Sequence, residues 1–269
     1  MPLPREEVKA DGSSEPRSRK VIGCQDVLRG RLRSFSAKVE AAKAVIGQAA
    51  QLGRVGVSFS GGKDSTVLLH LVRSVVPEAP AGFFDDGAQL ADTYEFIRAT
   101  PNVQIITVKP SLIEMCKAGG YWGYQSATPD VTFNFMRELI LKPARQFVDD
   151  NGLAVSALGL RGDESSKRHL NALIRGQLYW HRGNRVYHLC PLTYWSVDDI
   201  WAYIASYAVP YNRVYDRMAS LGLERDEMRV APVLGATAVG WGRYVYLKQL
   251  DPELWNTLAN DFPKLRVYV

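Results

Sequence analysis

Cysteine is scarce in this sequence, three residues in 269, and Cys24, Cys116 and Cys190 stand alone with no C-x-x-C pair. An odd number so spaced excludes a disulfide framework and offers no paired thiolates, so neither zinc nor an iron–sulfur cluster is expected and the thiols read as reduced, buried side chains. Long apolar runs are missing too. No stretch approaches the roughly 18 to 20 uninterrupted apolar residues of a membrane span, and MPLPREEVKADGSSEPRSRK at the start holds no apolar signal segment. The reading is a soluble, cytoplasmic protein without a membrane partner. Nor is there much excess charge of one sign outside the N-terminal part. Of the formal +5, residues 1–53 carry ten Lys/Arg against six Asp/Glu, leaving 23 against 22 beyond. Nucleic acid stays open as a partner, but the overall charge does not point to it.

What is present is ordinary globular material, with 46% hydrophobic and 23% charged residues. Residues 1–22 are polar and rich in Pro, Gly and Ser, and are expected to be a disordered tail. Over 23–53 the apolar positions Leu28, Leu32, Phe35, Val39, Ala42, Ile46 and Ala49 alternate steps of four and three, which predicts one long amphipathic helix. That helix packs on the domain or docks a protein partner. Beyond Gly53, strands expected at 54–59, 81–84, 103–108, 154–159 and 186–189 alternate with helices at 65–76, 90–99, 134–149 and from Ser196 to about Ala208. The pattern predicts an α/β fold with a mostly parallel twisted sheet and helices on both faces. Residues 119–129, GGYWGYQSATP, form an aromatic, glycine-rich loop of the kind that acts as a lid or binding segment.

The strongest chemical signal is Ser58-Phe59-Ser60-Gly61-Gly62-Lys63-Asp64-Ser65-Thr66, between the first strand and the next helix. Successive N–H groups of a Gly-rich turn make an anion nest, the helix N-terminus adds its dipole, and Lys63 adds a point charge. The spacing differs from a Walker A loop, which has four residues between its glycines.

This loop resembles the pyrophosphate-binding loop of the N-type ATP pyrophosphatase (PP-loop) superfamily, whose fold is adenine nucleotide alpha hydrolase-like. The chain is most similar to the branch holding phosphoadenosine phosphosulfate (PAPS) reductases and the small subunit of sulfate adenylyltransferase. Further matches follow in the branch's order: Asp85-Asp86-Gly87 with Thr93 to Phe96, Gly159-Leu160-Arg161 with Glu164-Ser165 and Arg168, Pro191-Leu192 with Trp195 and Asp199 to Trp201, then Pro210 to Asn212 and Tyr215-Asp216. The resemblance spans 54–216; residues 217–269 form an extension packed on the domain, loosely similar to uncharacterised phage and bacterial members.

The resemblance implies an adenine nucleotide held by Ser58, Ser60, Gly61, Gly62, Lys63, Asp64, Ser65 and Thr66, with Asp85, Gly87 and Gly159 beside it. Lys63, Arg161 and Arg168 are the expected catalytic cations, and Asp64 and Asp85 the expected supports of Mg²⁺. Arg175, Arg182 and Arg185, interleaved with His169, His181 and His188, are read as a solvated face. His188 and Cys190 share one side of a strand and are read as a buried structural pair, and Trp195, Trp201, Tyr203 and Tyr207 as core. PAPS reductases attack sulfur with a cysteine near the C-terminus, and no cysteine follows Cys190. The expected reaction is therefore that of the ATP-using members: attack of an oxyanion acceptor (sulfate, a carboxylate or a nucleobase carbonyl) on the α-phosphorus, with release of pyrophosphate. Sulfonucleotide reduction with a partner's thiol and nucleotide binding without turnover are the alternatives.

Overall fold

In a computed structural model, which describes residues 20–128, 131–231 and 243–269, the chain builds a six-stranded sheet. The strands are β1 (Val55–Ser58), β2 (Ala81–Asp85), β3 (Val103–Thr107), β4 (Val155–Ala157), β5 (Leu178–His181) and β6 (Val186–Leu189), in the order β3-β2-β1-β4-β6-β5. All neighbours are parallel except β5, which returns antiparallel along β6 as an edge strand. The connection from β1 leads to β2 on one side while β4 joins on the other, so the crevice at the carboxyl ends of β1 and β4 is the switch point where open α/β sheets bind ligands.

The central strands β1 and β4 are buried because their residues are small or apolar, whereas β3 and the edge strand β5 leave side chains exposed. Val55, Val57, Ala81 and Phe83 point into the main core, together with α3 (Lys63–Val75) and α8 (Val197–Ser206). Ile106, Phe147, Val148 and Val186 form a second cluster on the opposite face. There Phe147 of α6 (Lys142–Asp150) lies so close that a Cβ on Gly82 would sit 2.8 Å from its ring.

The expected N-terminal helix is two helices, α1 (Cys24–Gly30) and α2 (Arg33–Ala50). Leu32, at φ −72° and ψ 137°, breaks the run, and Gly30 meets α8 so closely that a Cβ there would overlap Ser206 Oγ at 1.8 Å. The apolar stripe therefore fails at its start: Leu28 and Leu32 are exposed, whereas Phe35, Val39, Ala42, Ile46 and Ala49 are buried. Buried ion pairs tie this segment down. Asp199, the N3 residue of the capping box that starts α8, receives Arg29 at 2.8 Å and Lys38 at 2.6 Å, and Arg225 pairs with Asp26 at 2.7 Å. Of the expected tail, residues 1–19 lie outside the described residues, but Val21 is already buried, its N–H donating to Asp216 at 2.8 Å.

Four further helices complete the layers: α4 (Ala91–Ala99), α5 (Leu112–Ala118), α7 (Ser166–Arg175) and α9 (Val214–Ser220). In the C-terminal part, α10 (Arg243–Leu250) and α11 (Pro252–Asp261) place Tyr244, Leu247, Trp255, Leu258 and Phe262 in the main core. The aromatic loop is held against this part, Trp122 against Tyr244 and Tyr124 against Phe262, rather than standing free as a lid. Trp195, Trp201 and Tyr203 are core residues; Tyr207 is not, being 44% exposed at the end of α8.

Candidate active site

The loop between β1 and α3 is shaped by its own hydroxyls. Ser60 N–H donates to Ser65 Oγ at 3.2 Å, and the Ser65 and Thr66 hydroxyls donate to the Gly62 carbonyl at 3.0 and 2.9 Å. Gly61 takes φ +70°, which suits glycine, and turns the chain back so that α3 starts at Lys63. The N–H groups of the first helical turn have no acceptor within the helix; those of Gly62 and Lys63 are taken by Ser60 Oγ and Tyr215 Oη, so the nest rests on the ones that follow, Asp64 and Ser65. Gly159, just past β4, faces that turn: a Cβ there would lie 3.1 Å from Ser65 N, so a side chain at this position would crowd the two segments.

Beside the loop is a cavity of about 260 Å³ whose walls include Ser58, Ser60, Gly62, Lys63, Asp64, Ser65, Gly159, Arg168 and Tyr215, with Glu164 and Arg229 opposite. Seven of the residues expected at the nucleotide thus surround one space, together with Arg168. Gly61 and Thr66 shape the turn from behind. Lys63 is 2% exposed; its Nζ donates to the Met228 carbonyl at 3.0 Å and its N–H to Tyr215 Oη at 2.9 Å. Burial pulls its pKa below the usual lysine value, and Arg161 and Arg229 add to this against the opposing pull of Asp64.

Arg161 is also 2% exposed, but it does not reach into this cavity. Its Nε lies 2.6 Å from Asp64 Oδ1, off the N–H direction, so the contact is ionic without a directed hydrogen bond; its Nη1 donates to Asp163 at 2.6 Å. Arg161 thus stands behind Asp64, lining a smaller neighbouring cavity with Arg168, Tyr179 and Cys190. The Glu164 carboxylate grips Arg168 with one oxygen and Arg229 with the other, the latter at 2.7 Å. Burial, with Arg229 as the next cause, lowers the Arg168 pKa.

The expected Mg²⁺ supports do not come together. Both oxygens of Asp64 face cations, Arg161 at 2.6 Å and Lys63 at 3.4 Å. Asp85, outside the cavity walls, accepts from Tyr94 Oη at 2.7 Å and from Gly87 N–H at 3.0 Å. Among the described residues no group of three or more His, Cys, Asp or Glu could hold a metal ion, so an Mg²⁺ would enter with the nucleotide's phosphates and rest on one carboxylate at most. Asp86 turns inward, accepting from Ala88 N–H and Gln89, and burial raises its pKa.

Two of the three thiols are withdrawn from solvent. Cys190 is buried and its pKa pushed up to about 12, Cys116 is buried at about 11, and Cys24 lies exposed on α1. His188 pairs with rings rather than with Cys190, stacking on His181 at 4.2 Å and meeting Tyr179 edge-on at 5.5 Å. Sequence reasoning missed Tyr215, Glu164 and Arg229 as site residues: the first two lay within the quoted motif matches and Arg229 in the extension beyond them. The contacts of Tyr215 with Lys63 and of Arg229 with Glu164 depend on the fold and leave no local spacing.

Residues 54–239 match the phosphoadenosine phosphosulfate reductase domain. The chain belongs to that family, within the PP-loop superfamily. Among curated members, an adenosine 5′-phosphosulfate reductase of Halalkalibacterium halodurans is 30% identical over 174 residues, 61% of this chain and 70% of that one. Adenosine 5′-phosphosulfate reductase 2 of Bacillus subtilis is 27% identical over 181 residues, 64% and 71% of the two chains. Two solved structures share the fold. PAPS reductase from Candida auris, a phosphate complex, has a TM-score of 0.51 at 21% identity, covering 68% of this chain and 85% of that one. FMN adenylyltransferase from Candida glabrata has a TM-score of 0.50 at 18% identity, covering 68% and 58%. The family match runs past residue 216, so Met228 and Arg229, which meet the loop, fall inside it.

Proposed function

We propose that the protein binds ATP with its terminal phosphates on the Ser60–Ser65 loop and adenylylates an oxyanion acceptor. The acceptor oxygen forms a bond to the α-phosphorus, the bond from that phosphorus to the bridging oxygen breaks, and pyrophosphate carries away the electron pair. The observation that carries this reading is the pairing of a phosphate cradle with three cations and no thiol on the cavity wall. Nest amides, Lys63, Arg168 and Arg229 surround the cavity, whereas the Cys190 thiol is buried with its pKa pushed to about 12. A reaction needing a thiolate on sulfur has no nucleophile there, while phosphoryl-type transfer needs mainly positioning and charge neutralisation.

The residues divide the work. Lys63 and the first-turn amides hold the leaving pyrophosphate, Arg168 and Arg229 are oriented by Glu164 to face it across the cavity, and Arg161 positions Asp64 and, through it, the Lys63 ammonium. The names of the relatives favour the other chemistry, reduction of a sulfonucleotide, and one experiment separates the two. The protein is incubated with ATP, adenosine 5′-phosphosulfate or PAPS, with and without a dithiol, and pyrophosphate, AMP and sulfite are followed. Pyrophosphate from ATP that persists in Cys190→Ser is expected. Thiol-dependent sulfite release lost in Cys190→Ser would establish the reductase instead.

A further inference from the structure

From Ser165 to Val197 the chain contains no Asp or Glu, yet this stretch holds Lys167, Arg168, Arg175, Arg182 and Arg185 and three of the protein's four histidines. In a body whose charges balance only when this stretch is counted, the fold gathers it into α7 and the β5–β6 hairpin, beside the candidate active site. Lys167, Arg175, Arg182 and Arg185 are exposed and, among the described residues, enter no ion pair. Arg145 of α6 adds a cation, donating to the Asn184 carbonyl in the hairpin turn at 2.7 Å while paired with Asp149.

Flat rings are interleaved with these charges. A groove of about 490 Å³ is lined by Arg175, Tyr179, Trp180, His181, Arg182 and Gly183. Trp180 is 49% exposed on the edge strand, with Tyr187 edge-on to it at 5.1 Å. Arg175 lies 5.4 Å from the centre of the Tyr179 ring, and His181 stacks on His188 at an interplanar angle of 7°. Burial lowers the pKa of both imidazoles, His188 to about 4, so at neutral pH they present uncharged ring faces. The groove is not isolated. Tyr179 is also a wall of the small cavity that contains Arg161 and Arg168, and Arg168 in turn is a wall of the cavity beside the loop.

We infer that this groove binds a single-stranded nucleic acid, with phosphates on Arg175, Arg182 and Arg185 and bases stacked on Trp180 and its neighbouring rings, and that the strand carries the acceptor. The chemistry is that of a stacking platform beside a positive track, and a bare β-edge with flat rings fits unpaired bases better than a duplex. Of the acceptors open to the proposed reaction, it selects the nucleobase carbonyl. The assignment of the acceptor rests on the adenylylation reading; the binding does not.

The test is fluorescence anisotropy with labelled oligo-U and oligo-dT strands of about 16 nucleotides, and a duplex of equal length, across about 0.05 to 0.2 M salt without ATP. Both single strands should bind with log K falling as log salt rises, and the stronger of the two identifies RNA or DNA as the source. R175A/R182A/R185A should reduce the slope by about 2 and the affinity at 0.1 M by about a hundredfold. Trp180→Ala should weaken binding about five- to a hundredfold with the slope unchanged. Arg182→Ala alone, in an exposed turn, should cost about fivefold and guards against misfolding of the triple variant, which circular dichroism checks. Absence of binding, a duplex held as tightly as the strands, or an unchanged triple variant overturns the inference. Pyrophosphate release from ATP without strand binding sinks the strand alone, whereas strand binding without ATP cleavage sinks the adenylylation reading.

Discussion

Asp64→Asn is the most informative single change. The Asp64 carboxylate faces two cations, Arg161 Nε at 2.6 Å and Lys63 Nζ at 3.4 Å, each of which is 2% exposed. At an effective dielectric of about 20, such contacts are worth about 4 kcal/mol each before the cost of desolvation. Removing one partner from a buried set leaves the others uncompensated and typically costs about 3 to 5 kcal/mol. Arg161 keeps Asp163 at 2.6 Å, which softens the loss on its side, while Lys63 keeps the Met228 carbonyl. We expect a destabilisation of about 3 kcal/mol, seen as a fall in melting temperature on the order of 10 °C. Pyrophosphate should then stabilise the variant more than the native protein, because the anion supplies the missing charge. The sign with pH follows from Lys63. Burial lowers its folded pKa below 10.5, so the unfolded chain binds more protons in the window beneath that value and stability rises with pH there; without Asp64 the rise is steeper. Thermal melts of both proteins across pH, with and without pyrophosphate, test all three. A variant that melts like the native protein and gains nothing extra from pyrophosphate refutes the counter-ion role.

Lys63→Ala removes a charge-assisted phosphate contact, and nucleotide affinity measured by calorimetry should fall about ten- to a hundredfold; an unchanged affinity would contradict the cradle. His188, held neutral by burial down to about pH 4, takes no proton between its unfolded pKa of 6.5 and that value, so stability present above 6.5 is lost as pH falls through the window. His188→Phe should flatten that loss, worth about 2 to 3 kcal/mol, in urea unfolding at pH 7 and 4.5; an identical pH dependence would show that another group titrates.

The parallel sheet, its switch point and the loop were readable because buried strands and a Gly-rich turn leave local signatures. Several elements were not, β5, α7 and α5 among them. β5 follows Gly176 and Gln177 without apolar alternation, and it is a strand because it pairs with β6. α7 exposes Leu170, Leu173 and Ile174, so its apolar face does not mark a buried side, and α5 is announced only by the short capping box of Ser111 and Glu114. The break at Leu32 was hidden because the sequence continues the heptad-like spacing through a point where close packing on α8 ends the helix. At the site, Arg161 stands at the expected strand end, and only the fold shows that its guanidinium meets Asp64 instead of lining the cavity beside the loop.

The bond from Lys63 Nζ to the Met228 carbonyl has a thermodynamic corollary. One ammonium serves both the phosphate cradle and the crossing of residues 228–231 over it, so an anion that draws Nζ toward the cavity loosens its hold on the crossing. The two equilibria are then linked reciprocally: whatever weakens the docking of this segment raises anion affinity by the same factor that bound anion weakens the docking. A distal change in the C-terminal part can in this way adjust the affinity of a loop it never touches.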